Sequence, residues 1–151
     1  MKHLQIMTAL HLPECHVIDC AVASHPWSLE SFNRGVQKNH QSHVWLDHNN
    51  AVQGFCICML VVDELSVLNI AVSAEYQRQG LGRALLQHAI AEGYTAGARE
   101  AFLEVRQSNH GAQALYEDLE FNVVGVREHY YPVARGQTEH ALIMARTLVL
   151  D

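Results

Sequence analysis

Residues 77–82 of this chain, with the sequence QRQGLG, form a glycine-rich segment in front of a helical pattern. Gly80 and Gly82 let the backbone turn tightly and approach a ligand closely. The free N–H groups of the first helical turn would then face an anion, and the helix dipole would add to the attraction. Arg78 and Arg83 supply positive charge for a phosphate. The pattern therefore predicts a loop that binds a phosphate-bearing ligand.

This loop departs from two common phosphate-binding motifs. A P-loop ends in Gly-Lys-Ser or Gly-Lys-Thr, which this segment lacks. A dinucleotide fingerprint has a third Gly or Ala where Leu85 stands, and it begins directly after its strand, whereas residues 73–76 intervene here. A glycine-rich turn without a ligand is the remaining alternative.

Glu104 and Tyr116 are candidates for proton transfer. Glu104 lies at the end of the apolar stretch 102–105, beside Arg106. A carboxylate near an apolar wall can have a raised pKa and act as a base, and a surface salt bridge is the alternative. Tyr116 follows Asn109 on a predicted helix, where a core aromatic with a solvated hydroxyl is the common arrangement. Asn109 itself is typical of a helix N-cap.

Periodicity predicts the elements that position these side chains in an α/β (α+β) fold, with residues 1–151 as one domain. The element order is β-α-α-β-β-β-α-β-α-β-β, which favours a mixed sheet. The predicted strands are residues 4–7, 44–47, 54–62, 65–72, 101–105, 121–126 and 141–148, and the predicted helices are residues 13–23, 28–38, 82–97 and 109–119.

Composition excludes several classes of protein. Hydrophobic residues make up 49% of the 151 residues and charged residues 17%, which excludes intrinsic disorder. A net charge of -6 argues against nucleic-acid binding. Because no apolar run reaches the ~18 residues of a membrane span and the first residues lack a signal-peptide core, we expect a cytoplasmic protein without a membrane partner.

Cysteine and histidine spacing gives no metal motif. The chain has no Cys-x-x-Cys pair, so Cys15, Cys20, Cys56 and Cys58 are expected to be buried, reduced thiols, with a disulfide or metal role as the alternative. The eleven histidines show no His-Glu-x-x-His spacing and are expected at the surface. We therefore expect no metal.

Residues 77–82 resemble the acetyl-CoA pyrophosphate loop of the GNAT superfamily of N-acetyltransferases. Further segments, in order along nearly the whole chain, are similar to its RimI-like branch, the ribosomal-protein alanine N-acetyltransferases. These segments are PWS at 26–28, NIAV at 69–72, LEVR at 103–106, SN at 108–109, Ala112, LY at 115–116 and YYP at 130–132. The resemblance implies a central sheet of about seven strands flanked by about four helices, with a V-shaped splay between residues 69–72 and 102–105.

The resemblance also implies roles in acetyl transfer from acetyl-CoA. Glu104 would be the base, directly or through a water, and Tyr116 the acid that protonates the departing thiolate. The Val72 N–H would point at the acetyl oxygen, and the pantetheine arm would lie along the splay. The residues implied in binding acetyl-CoA are Ile70, Ala71, Val72, Arg78, Gln79, Gly80, Leu81, Gly82, Arg83 and Asn109.

Three aromatic residues are predicted to line the groove for the acceptor amine. Trp27 follows Pro26, and the pair Tyr130-Tyr131 precedes Pro132; exposed aromatics beside a rigid proline suit peptide recognition. Core packing is the alternative for Trp27, and a hairpin loop with ordinary surface tyrosines is the alternative for the other two. Glu64, at a predicted hairpin turn, could meet a cationic amine or be merely solvated.

The expected function is acetylation of a protein N-terminus, most simply an alanine-starting ribosomal protein. The negative net charge agrees with such a basic acceptor. The alternatives are an acetyltransferase for lysine side chains or small amines, and a non-catalytic acyl-CoA-binding module, against which Glu104 and Tyr116 argue. We expect a monomer or weak dimer. The branch usually has Leu-Gly-Phe where this chain has Leu119-Glu120-Phe121, so Glu120 would adopt a left-handed conformation at a cost of about 1 kcal/mol or force another helix end.

Overall fold

The computed structural model describes residues 3–36 and 41–149, and seven strands of this part form one mixed sheet in the order β1-β2-β3-β4-β5-β7-β6. Only β4 and β5 are parallel neighbours; the other pairs are antiparallel. The strands are β1 (Leu4–Ile6), β2 (His43–Leu46), β3 (Val52–Val61), β4 (Glu64–Val72), β5 (Glu100–Arg106), β6 (Asn122–Pro132) and β7 (Thr138–Thr147), and the α-helices are α1 (Leu12–Val22), α2 (Leu29–Gly35), α3 (Leu81–Thr95) and α4 (His110–Asp118).

The predicted fold class and the predicted order of elements are confirmed. The cap residues act as expected: Ser28 accepts the Ser31 N–H at the start of α2, and Asn109 accepts the Ala112 N–H at the start of α4. The prediction for α2 runs past Gly35 to residue 38, which lies outside the described residues.

The predicted end of β6 at Val126 is wrong, because the strand continues to Pro132. Between Arg127 and Tyr131 the register shifts: Arg127 pairs with Ala141, and Tyr131 pairs with Glu139. The intervening residues bulge out, with His129 at a φ of 54°. The segment 130–132 therefore belongs to a strand rather than to a hairpin loop.

The sheet has one hydrophobic core on each face. On one face, α3 and α4 pack on a cluster that includes Leu85, Leu103, Val105 and Tyr116. On the other face, α1 and α2 pack on a second cluster around Phe32 and Phe55. Alternate residues of a strand point to opposite faces, so β3 contributes to both cores, with Cys56 and Cys58 on one face and Phe55 and Ile57 on the other.

Strands β4 and β5 separate from one another halfway along their length. Their parallel ladder has three pairs, of which Ser66 with Phe102 is the last. The register between β3 and β4 shifts directly afterwards, with Leu68 as the extra residue of a β-bulge, and bulges bend the strand that carries them. The predicted splay is thus confirmed.

Three smaller predictions are wrong or gain detail. Cys20 is exposed rather than buried, whereas Cys15, Cys56 and Cys58 are buried free thiols, and burial raises the pKa of Cys15 to about 12. His43 is buried rather than at the surface. Glu64 begins β4 at the end that pairs with β5, so it lies at the opposite end of that strand from the splay.

No helix among the described residues is long and apolar enough to span a membrane.

Candidate active site

The splay opens a cavity of about 590 Å³ that passes through the plane of the sheet. Leu103, Val105 and Tyr116 line it from the face of α3 and α4, whereas Asp19 and Glu104 line it from the face of α1 and α2. A molecule entering from one face can therefore meet a molecule entering from the other. Of the predicted site residues, the lining contains Ile70, Ala71, Val72, Arg78, Gly82, Glu104, Asn109, Tyr116 and Tyr131.

Strand β4 turns backbone donors toward the cavity. The Ser73 N–H donates to the Gln53 carbonyl of β3 (2.9 Å). Because successive N–H groups of a strand alternate in direction, the N–H groups of Val72 and Ile70 point away from β3 and into the splay. The ladder with β5 ends at Ser66, so the Val72 N–H faces the gap rather than a β5 carbonyl, while the Val72 carbonyl accepts a hydrogen bond from Gln77 Nε2 (3.0 Å). This is where the family resemblance implies a donor for the acetyl oxygen.

The glycine-rich loop has the backbone shape of an anion site. Arg78 and Gly80 have φ values of 64° and 86°, and such alternation of handedness turns successive N–H groups to one side. Gly80 is the N-cap of α3, and no atom lies within 4 Å of where its Cβ would be, so the space beside its Cα is open. Arg78 and Gly82 line the cavity.

Arg83 is already engaged within the protein. Its Nη2 contacts Asp118 Oδ2 at 3.0 Å, which ties the first turn of α3 to the end of α4. Arg83, Gln79, Gly80 and Leu81 are outside the cavity lining, on the rim formed by the loop. Their contacts with acetyl-CoA stay predictions.

Glu104 forms the ion pair that the sequence analysis left open as an alternative to a base. Its Oε1 lies 3.0 Å from Nε of Arg127 on β6, and its side chain is 29% exposed. The side chains of residues 101, 103 and 105 are buried under α3 and α4, so Glu104 points to the opposite face. An ion pair and a catalytic role are compatible if the pair can open.

Tyr116 places its phenol against the cavity from α4. The side chain is 8% exposed and packs edge-on against Phe121, with ring centroids 6.3 Å apart. Burial raises the pKa of Tyr116 to about 12, and the neighbouring Cys56 and Tyr131 add to the shift. The phenol is therefore neutral and keeps its proton at any physiological pH.

Tyr131 connects the two sides of the cavity. Burial raises the pKa of its hydroxyl, and the nearby negative charge of Glu104 adds to the shift. The Arg106 guanidinium lies 4.3 Å from the Tyr131 ring centroid, an arrangement that fixes the ring by a cation–π contact. Tyr131 is thus the one of the three predicted groove aromatics that lines the cavity among the described residues.

Arg106 is held from several directions. It pairs with Glu139 at 3.2 Å, and its Nη2 donates to His25 Nδ1 at 2.9 Å. Glu139 also accepts the Ser108 N–H at 2.9 Å, and that hydrogen bond, with the help of Arg106, holds the pKa of the Glu139 carboxyl below its usual value. This network joins β5, β7 and the loop after α1.

The other two predicted aromatics lie outside the cavity. Tyr130 is exposed, with its ring centroid 5.0 Å from that of Tyr131 and the Arg127 guanidinium 5.2 Å above it. Trp27 packs against Phe32 at 5.4 Å in the core between α1, α2 and the sheet. Core packing, the alternative for Trp27, therefore describes its ring, and a contact of Trp27 with an acceptor stays a prediction.

Sequence reasoning missed Asp19, which is buried in the lining of the cavity. Its Oδ2 accepts the Trp27 N–H (2.8 Å) and a hydrogen bond from Asn69 Nδ2 (3.3 Å). The carboxylate thus joins the loop after α1 to the splayed part of β4. The available signal was a carboxylate four residues after Cys15 on the apolar stripe of a helix, a position where charge is rare without a partner.

The described residues hold no group of three or more His, Cys, Asp or Glu side chains that could bind a metal ion. The polar groups at the splay include backbone amides, the carboxylates of Asp19 and Glu104, and the phenols of Tyr116 and Tyr131. Such groups donate and accept protons and stabilise an oxyanion, which is the chemistry of acyl transfer.

Comparison with known proteins gives a consistent result. A model of the acetyltransferase (GNAT) family matches residues 7–121. The chain is 41% identical over 145 residues to the [ribosomal protein bS18]-alanine N-acetyltransferase of Salmonella typhimurium, covering 96% of this chain and 97% of that protein. The Haemophilus influenzae protein of the same name is 40% identical over 124 residues, covering 80% and 81%. The crystal structure of the ribosomal-protein-S18-alanine N-acetyltransferase from Escherichia coli matches with a TM-score of 0.91 at 37% identity, covering 98% of this chain and 94% of that one.

Proposed function

We propose, from the premise that this chain belongs to the acetyltransferase (GNAT) family, that it transfers the acetyl group of acetyl-CoA to the N-terminal amine of an alanine-starting ribosomal protein. The observation that carries this proposal is the cavity through the splayed sheet, with Glu104 on one face and Tyr116 on the other. The names of the Salmonella typhimurium and Haemophilus influenzae relatives support the acceptor. Ribosomal proteins are made in the cytoplasm, where we place the reaction.

The donor enters from the side of α3 and α4. Its phosphates bind the N–H groups of the glycine-rich loop and the Arg78 side chain, and its thioester reaches the Val72 N–H. The pantetheine arm lies along residues 70–72, where β4 has lost its partner strand and has backbone groups to offer. Asn109 lines the same side and keeps its role as N-cap.

The acceptor amine approaches from the face of α1 and loses a proton to Glu104, directly or through a water. The nitrogen attacks the acetyl carbon, the Val72 N–H stabilises the oxyanion, and the C–S bond breaks. An α-amine with a pKa near 8 is deprotonated at pH 7 at a cost of about 1 kcal/mol, whereas a lysine amine with a pKa near 10.4 costs about 5 kcal/mol. A partly exposed carboxylate is therefore better suited to an α-amine than to a lysine, which is the second candidate acceptor.

Tyr116 acts on the leaving group as a hydrogen-bond donor. Burial raises its pKa to about 12, so the phenol holds its proton when the C–S bond breaks and can donate to the thiolate. A neutral donor in a dry site still stabilises the charge that develops on sulfur. As the amide forms, the nitrogen loses a second proton, which the thiolate takes, and the proton held by Glu104 passes to solvent.

Mass spectrometry of an alanine-starting ribosomal-protein peptide, incubated with the protein and acetyl-CoA, tests the proposal. One acetyl group on the α-amine is expected, and acetylation that appears only on a lysine or a small amine would move the acceptor to the second candidate. Absence of any CoA release, with acetyl-CoA still bound, would make the chain an acyl-CoA-binding module. Glu104→Gln is expected to abolish turnover while leaving acetyl-CoA binding intact.

A further inference from the structure

On the acceptor side of the cavity, Glu104 and Arg106 are each paired with a residue of opposite charge. Arg106 is committed to Glu139 and to His25 Nδ1, and its guanidinium also covers the ring of Tyr131. Among the described residues, the cation that pairs with Glu104 is Arg127, at 3.0 Å. The carboxylate of the candidate base is thus paired with a guanidinium, whereas the proposed reaction needs a substrate amine beside it.

Arg127 has a second partner in the same conformation. Its guanidinium lies 5.2 Å from the centroid of the Tyr130 ring, whose face continues to hold the cation when the carboxylate is released. The Arg127 side chain is 53% exposed, so an ion pair of this kind is worth at most a factor of about five in an equilibrium constant. A pair this weak can open when another cation arrives.

We propose that Arg127 is a positioning residue that occupies Glu104 until the acceptor's α-ammonium displaces it. The exchange is charge for charge: an ammonium takes the place of the guanidinium at the carboxylate, and Arg127 keeps its contact with the face of Tyr130. The proposal rests on the proposed function, in which Glu104 is the base.

The occupied carboxylate also protects acetyl-CoA from water. An unpaired Glu104 would take a proton from a water in the cavity, and the water oxygen would attack the acetyl carbon. The C–S bond would break to give acetate, CoA thiol and one proton. While Arg127 is paired with Glu104, the carboxylate does not deprotonate water. Acetyl-CoA is therefore preserved until an amine enters.

Arg127→Met tests the exchange, because methionine keeps much of the length and apolar surface of the side chain without its charge. We expect the KM for an alanine-starting peptide to fall about two- to fivefold and the acceptor-independent release of CoA to rise by a similar factor, with kcat changed less than twofold. Arg127→Lys, which keeps a cation in reach, is expected to restore both values most of the way. The matched control is Arg34→Met, which removes an exposed ion pair with Glu30 on α2 and is expected to change neither value.

Glu104→Gln separates this inference from the function on which it rests. In that background, where binding replaces turnover as the readout, Arg127→Met is expected to leave the Kd of the alanine-starting peptide unchanged, because its effect passes through the carboxylate. If Glu104→Gln abolishes turnover but Arg127→Met raises the KM or leaves both the KM and CoA release unchanged, Arg127 is a structural partner and the inference is wrong. If Glu104→Gln retains full activity, the assignment of the base fails first.

Discussion

Glu104 and Tyr116 line one cavity from opposite faces of the same sheet. Strand alternation places Glu104 on the face of α1, while α4 holds Tyr116 against the buried face of Leu103 and Val105. Where β4 and β5 separate, the sheet no longer divides these two environments. One side of the gap is polar and partly exposed, and the other is dry. This difference suits a base that receives an amine from solvent and a donor that acts on a buried leaving group.

Tyr116→Phe removes the hydrogen-bond donor and keeps the ring. We expect kcat to fall about 10²-fold, within the range for loss of one such group, with little change in the KM for acetyl-CoA. The check is steady-state CoA release with an alanine-starting peptide. Tyr94→Phe on α3 is the control, since Tyr94 packs under Arg99 away from the cavity lining. Near-normal turnover of Tyr116→Phe would contradict the proposed role.

The raised pKa of Tyr116 also makes folding sensitive to alkaline pH. The unfolded phenol ionises near pH 10 and the folded phenol near 12, so above pH 10 the unfolded state loses its proton first and becomes relatively more stable. The contribution of the buried Tyr116 phenol to the free energy of unfolding is fully present below pH 10 and falls by about 1 kcal/mol by pH 11. Urea unfolding at pH 8 and pH 11 measures it.

Tyr116→Phe has no phenol at this position and does not show this loss. The free energy of unfolding of the wild type minus that of the variant should therefore fall by about 1 kcal/mol between pH 8 and pH 11. Cys15, whose pKa is likewise raised to about 12, contributes equally to both proteins and cancels. An unchanged difference would mean that the phenol is not buried in solution.

The sequence patterns contained most of the fold. Alternation and helical stripes predicted every strand and helix in the right order, because local periodicity and cap residues such as Ser28 and Asn109 decide them. The continuation of β6 past Val126 was missed because exposed, charged residues on an edge strand carry no alternation. Pairing with β7 across the bulge, which is a long-range contact, maintains that part of the strand.

The candidate site was predicted less completely. The phosphate loop follows from its own residues, but the roles of Glu104 and Tyr116 came from the family resemblance. The ion pair between Glu104 and Arg127 joins residues that are distant in the chain, and nothing local predicts it. Asp19 was missed for the same reason, since its partner Asn69 lies on another element.

Glu120→Gly tests the end of α4. Glu120 has a φ of 70°, and the Phe121 N–H donates to the Tyr116 carbonyl, so the helix ends in the left-handed conformation where glycine is usual. Glycine at this position removes about 1 kcal/mol of strain from the left-handed backbone. The lost ion pair with Arg146 contributes little to stability because the Glu120 side chain is 77% exposed. We expect a rise in Tm of about 2–4 °C. Glu120→Ala loses the same ion pair but keeps a Cβ, and a rise as large in that control would contradict the explanation.

Val62 marks a second strained position, at the tip of the hairpin between β3 and β4. Val61 pairs with Glu64, so Val62 and Asp63 form a two-residue turn, and Val62 has a φ of 58°. A β-branched residue is poorly suited to that region, and hairpin turns of this length favour glycine at the first turn position. Val62 is 89% exposed, so its removal costs little packing.

Val62→Gly is therefore expected to stabilise the protein by about 1 kcal/mol, read as an increase in the urea midpoint at constant m-value. The matched control is Val62→Thr, which makes the side chain polar but keeps the branch at Cβ. If both variants are stabilised equally, the increase in the free energy of unfolding comes from removing an exposed apolar group. If glycine alone gains, it comes from the backbone, and the acetyl-transfer rate should be unchanged because the turn lies at the opposite end of β4 from the splay.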